Sequence, residues 1–147
     1  MDCKRYCALL LFLVLIFWGH NVLAESSSIK IGEINPISGR LAKQGLETHQ
    51  GVAVAVAEVN EGGGLLGRQV ELITRDDQSQ PDVAISRAEE LCGWEKVLGL
   101  TGGYVDSLVG PISEVAKKYK VPYVASASLQ KELTQRENPY FFRVAKL

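Results

Sequence analysis

From Ile29 onward the chain alternates between a two-residue and a helical hydrophobic period. "IKIGEIN" (Ile29 to Asn35) repeats apolar positions as a strand does, with Ile29, Ile31 and also Ile34 assigned inward. Pro36, Ser38 and Gly39 break that pattern, and a long helix is predicted from about Leu46 to Glu61. Val52, Val56 and Val59 make its apolar stripe, and Ala53, Ala55 and Ala57 are expected to allow close approach to a sheet. Valines are mediocre helix formers, so this helix must depend on packing. Gly62, Gly63 and Gly64 supply the conformations of its C-cap and following turn.

The same alternation continues to the end of the chain. "QVELITRDD" predicts a second strand with Val70, Leu72 and Thr74 on one face. Asp76 and Asp77 start a turn, and Pro81 suits the first position of a helix capped by Ser79 or Gln80. That helix presents Val83, Ala84, Ala88 and Leu91 and ends near Gly93. "KVLGLTGG" reads as a short buried strand. "SLVGPISEVAKKYK" is a helix with Leu108, Ile112, Val115 and Ala116 inward. "VPYVASAS" is a fourth strand and "PYFFRVAKL" starts a fifth. Strands alternating with helices predict an α/β fold, a doubly wound parallel sheet with helices on both faces. A domain ending just after a strand begins is expected to be a fragment of something longer.

The N-terminus carries a different signal. Lys4 and Arg5 precede a twelve-residue apolar run, Cys7 to Trp18, and Val22-Leu23-Ala24 places small residues at a cleavage position. This is the pattern of a secretory signal. A membrane-spanning helix needs about 20 apolar residues, whereas this run is interrupted by Gly19, His20 and Asn21. Residues 1–24 are therefore read as a signal peptide cleaved after Ala24, and residues 25–147 as one exported domain.

Composition then removes several classes of function. Charge in the mature segment is nearly balanced with no basic stripe, so nucleic acid is not an expected partner. Cys3 and Cys7 leave with the signal, and Cys92 remains as a lone, small apolar residue on an amphipathic segment. With no Cys/His cluster around it, neither a disulfide nor a metal site is expected. His49 is the remaining histidine and is read as a surface or helix-face residue, not a base. Ser107 and Ser128 lack a G-x-S-x-G elbow, and the first loop has neither a dinucleotide fingerprint nor a phosphate loop. No catalytic set and no cofactor are predicted.

Ligands of doubly wound sheets bind beyond the carboxyl ends of the strands. Three loops there have fitting composition: "NPISGRLAKQG", "TGGYVDS" and "ASASLQ". Each offers glycines for close backbone approach, hydroxyls, or free amides at a following helix N-terminus, which suit a carboxylate. Tyr104 adds an apolar wall with a polar tip. Tight turns and helix caps use the same residue types, so composition alone leaves each loop open between ligand contact and plain turn chemistry.

"IGEINPISGRLAKQG", "EVNEGGGLLGRQVELITRDDQSQPDVAISRAEEL" and "VPYVASASLQKELT", in this order, resemble the periplasmic solute-binding proteins of branched-chain amino-acid ABC transporters. The resemblance runs through the whole mature segment and implies the N-terminal lobe of a two-lobed, type I binding protein that closes on its ligand. It implies a small-molecule ligand (an amino acid, amide or related carboxylate) and a membrane permease of an ABC importer as partner. The ligand contacts it implies are Gln44, Gly103, Tyr104, Ser107, Ala127 and Ser128. Gln44 stands where leucine binders carry a tyrosine, and the acid that meets a ligand amine belongs to the second lobe. A sensory module of the same fold is the second reading the residues allow. An exported Rossmann-like enzyme is a third, which would need a catalytic set from outside this segment.

Overall fold

The computed structural model describes residues 28–129, 131–135 and 138–144, and the predicted export signal lies outside them. Five parallel strands form one sheet: β1 (Ile29–Asn35), β2 (Val70–Asp76), β3 (Gly99–Gly102), β4 (Tyr123–Ala125) and β5 (Phe141–Arg143), in the order β2-β1-β3-β4-β5. The helices are α1 (Ala42–Glu61), α2 (Pro81–Glu89), α3 (Asp106–Tyr119) and the single-turn α4 (Lys131–Gln135). Helix α2 runs on into a π turn, Glu90–Trp94. None of the described helices is long and apolar enough to cross a membrane.

The helices occupy both faces, as the pattern predicts. Gly32 faces Leu91, Val97 and Leu100 on the side of α2 and α3, whereas its neighbour Glu33 meets His49 of α1 on the other side. The main core lies between the sheet and α2 and α3, where Ile34, Ala84, Ala88, Leu91, Leu108, Ile112, Ala116 and Tyr123 are closed to solvent. Each large apolar side chain buried there contributes about 1.5–3 kcal/mol. Cys92 is buried in this core, as expected.

Three expectations need correction. Ile34 is buried, but on the face opposite Ile29 and Ile31, because strand side chains alternate strictly. Helix α1 starts at Ala42, not Leu46, and runs straight through Gly45. A side chain at Gly45 would come within 2.1 Å of the Pro36 carbonyl, so the glycine permits contact with the β1 loop instead of breaking the helix. Ala55 and Ala57 are exposed, so the close approach rests on Gly45 at the other end of the helix. The α2 start, with Pro81 at its first turn and Gln80 at the cap position, agrees with the sequence reading. Helix α4 was not foreseen.

Candidate functional site

The chain leaves β1 for β2 on one side and later returns to place β3 on the other. This makes the carboxyl ends of β1 and β3 the switch point of the sheet. The loops there are tied into two pairs. On one side, Asp76 Oδ1 accepts from the amides of Ile37, Ser38 and Gln78, and Ser38 Oγ donates to its other oxygen at 2.6 Å. Burial pushes the Asp76 carboxyl up, but these hydrogen bonds together hold it below its ordinary value. Ser79 Oγ donates to Ser38 O and accepts from the Leu41 amide, completing the link between the β1 and β2 loops. Asp76 and Asp77 thus do what the sequence reading gave them, building the turn before α2.

On the other side, the β3 and β4 loops make a continuous wall. The Ser126 amide donates to Gly102 O at 3.1 Å and its hydroxyl to Gly103 O at 2.8 Å. Asp106, in the first turn of α3, accepts from Ser128 Oγ at 2.6 Å and from the Leu129 amide at 3.0 Å through one carboxylate oxygen. Tyr123, stacked at a tilt on Phe141, donates its hydroxyl to Gly102 O from a fully buried position. Burial drives that phenol's pKa far up, so it stays protonated as a donor.

An open cavity of about 490 Å³ lies on this wall, lined by Tyr104, Val105, Asp106, Ser126, Ala127 and Leu129. Of the six predicted contacts, Tyr104 and Ala127 share it. Gly103 and Ser128 are buried directly behind the lining, Gly103 with positive φ and no room for a side chain against the Tyr123 hydroxyl. Ser107 is exposed in the first turn of α3, and Gln44 is half-buried in the first turn of α1. Neither of these two lines the cavity. Val105, Asp106, Ser126 and Leu129 escaped the sequence reading. They sit in the same two loops, but an aspartate in a first helical turn reads as a favourable charge for the helix end, not as a link between loops.

A second group of polar side chains stands behind the switch point. Glu33, in the middle of β1, is fully buried, and its carboxylate accepts from Asn35 Nδ2 at 2.7 Å and Thr74 Oγ1 at 2.8 Å. His49 Nδ1 lies 2.7 Å from the Glu33 oxygen that Thr74 also meets. Asn35, also fully buried, accepts from the Gly103 amide at 3.1 Å. His49 thus sits half-buried on a face of α1, the helix-face alternative of the sequence reading. Among the described residues no group of His, Cys, Asp and Glu is placed to hold a metal ion.

Residues 28–147 match the family model of periplasmic binding proteins. The Leu/Ile/Val-binding protein homolog 7 of Brucella abortus (strain 2308) is 35% identical over 117 residues, which cover 78% of this chain and 29% of that protein. Homolog 8 of the same strain is 33% identical over 120 residues, 82% of this chain and 30% of that protein. Among solved structures, the branched-chain amino acid transporter substrate binding protein LivJ of Streptococcus pneumoniae, in complex with isoleucine, superposes with a TM-score of 0.77 at 31% identity. That match covers 80% of this chain and 33% of LivJ. The leucine binding protein LivK of Thermotoga maritima gives 0.74 at 28% identity, over 81% of this chain and 33% of its own. The chain thus spans about 30% of the length of the relatives it matches. By its sequence, its strand order and its placement of loops, the chain belongs to the periplasmic binding protein family.

Proposed function

We propose that this chain is the amino-terminal lobe of an exported solute-binding protein, which captures a branched-chain or related amino acid for an ABC importer and does no covalent chemistry. The observation that carries this reading is the cavity on the joined β3 and β4 loops at the sheet's carboxyl edge. Its wall combines an aromatic ring (Tyr104), small apolar surface (Val105, Ala127, Leu129) and the start of a 14-residue helix. Apolar lining suits an aliphatic side chain, and the positive end of a helix suits a carboxylate. Tyr104, Ala127 and the backbone around Gly103 and Ser128 are the contacts proposed for this lobe, with Gln44 and Ser107 at its margin.

A second lobe closing over this wall would complete the site, because hydrogen bonds to a ligand strengthen once water is excluded. Closure would then report loading to a membrane permease. Export is proposed through residues 1–24, with cleavage after Ala24. Calorimetry on the complete protein with L-leucine, L-isoleucine and L-valine tests the reading. Saturable binding of at least one is expected, and silence with all three while other solutes bind would overturn the amino-acid assignment.

A further inference from the structure

Nothing in the proposed capture step uses Glu33, yet it is fully buried in the middle of β1, between β2 and β3. Moving a carboxylate out of water costs several kcal/mol unless it is paired and hydrogen-bonded. Here Asn35, Thr74 and His49 all converge on it within hydrogen-bond distance. Thr101 is its register partner on β3, and Asp76, the register partner of Asn35, has both carboxylate oxygens occupied by the β1 and β2 loops. His49 is the basic group that meets Glu33, and it reaches solvent from α1.

The arrangement has a direction. A carboxylate only accepts and a backbone amide only donates, so Asn35 must turn its NH2 toward Glu33 and its oxygen toward Gly103. Glu33 thereby fixes the orientation of the Asn35 side chain, and Asn35 in turn holds the Gly103 amide. That amide is shared between Asn35 Oδ1 at 3.1 Å and Ile34 O at 2.8 Å. The next residue is Tyr104, on the cavity wall. Gly102 and Gly103 both have positive φ, which glycine adopts freely, so their own backbone preferences do not fix the loop and the anchors must.

We infer that His49, Glu33 and Asn35 are positioning residues, which hold the β3 loop in its ligand-receiving geometry from behind the sheet. The inference rests on the ligand-binding role proposed for that loop. The competing account is that the two side chains merely satisfy each other's hydrogen bonding inside the fold. In that case an apolar replacement of both partners should restore everything, since such swaps are often neutral or stabilising.

The experiment is the double variant Glu33→Leu/His49→Leu in the complete protein, beside His49→Gln, which can still donate to Glu33, and Asn35→Ala. Three quantities are read: L-leucine affinity, the thermal midpoint and the Gly103 amide resonance. The double variant should fold with a lowered thermal midpoint, since Asn35 and Thr74 lose their acceptor, bind leucine about tenfold more weakly through the lost orientation of one hydrogen bond, and shift the Gly103 amide. Asn35→Ala should move the same amide, and His49→Gln should stay near the parent in all three. A double variant that is folded, binds as the parent does and leaves the Gly103 amide in place would overturn the inference. Should the double variant not fold, a folded Asn35→Ala protein with parental affinity and an unmoved Gly103 amide would overturn it equally. Should the parent take no amino acid, the proposed function fails on its own, and the Gly103 resonance still decides whether the relay holds the loop.

Discussion

Asp77 is fully buried, and one of its carboxylate oxygens, Oδ2, has no hydrogen-bond partner. Burial pushes its pKa from 3.8 to about 6, against the pull of the Ser79 amide and with a small push from Asp76. The folded state therefore prefers the neutral acid. Stability from this site is fully present below about pH 4 and is lost as pH rises through about 6. Asp77→Asn keeps the oxygen that Ser79 uses and cannot ionise. It should raise stability at pH 7.5 by roughly 1–2 kcal/mol and leave it nearly unchanged at pH 4, as denaturant titrations at the two pH values would show. Cys92 follows the same physics. Burial, with Glu89 adding to it, lifts the thiol to about 11, and the thiolate is the reactive form. Ellman's reagent should label Cys92 slowly in the native protein and within minutes after denaturation; fast native labelling would contradict the burial described.

Among the connecting elements, the turn Leu65–Arg68 runs against its own preferences. Leu65 and Arg68 exchange two backbone hydrogen bonds, and the residues between them, Leu66 and Gly67, both have positive φ. That is a type I′ turn, which favours Asn-Gly. Leu66 is 98% exposed, so no packing offsets its backbone strain. Leu66→Asn should stabilise the protein by about 1 kcal/mol, read as a higher thermal midpoint. The strands, α2 and α3 were legible because hydrophobic period and turn residues agree in those segments. The start of α1 was not, since a glycine signals both a break and a close contact, and Pro36 shows which applies only in three dimensions. The relay behind β1 is partly legible in the strand's alternation. Ile29, Ile31, Glu33 and Asn35 share one parity, so the acid lies on the same face of the strand as two of its isoleucines. Its partner His49 lies 16 residues away on a helix, and no local spacing joins the two.

At the scale of the whole molecule, the site residues fall into a wall and its supports. Tyr104 and Ala127 face the cavity, while Ser126, Ser128, Asp106 and Tyr123 bind the two loops into one surface. The loops could be named from the sequence because a doubly wound sheet has one functional edge, but which of their side chains face outward depends on bonds between loops more than 20 residues apart. A rigid open wall binds poorly by itself. Its ligand keeps one side in water, where each hydrogen bond competes with solvent and contributes only about 0.5–1.5 kcal/mol. That gain is small against the several kcal/mol lost when a ligand's translation and rotation are fixed. Residues 25–147 produced alone should therefore show no saturable heat with L-leucine at millimolar concentration, whereas the complete protein should bind it. Micromolar affinity in the isolated segment would mean that this wall is the whole site and that closure by a second lobe contributes nothing to capture.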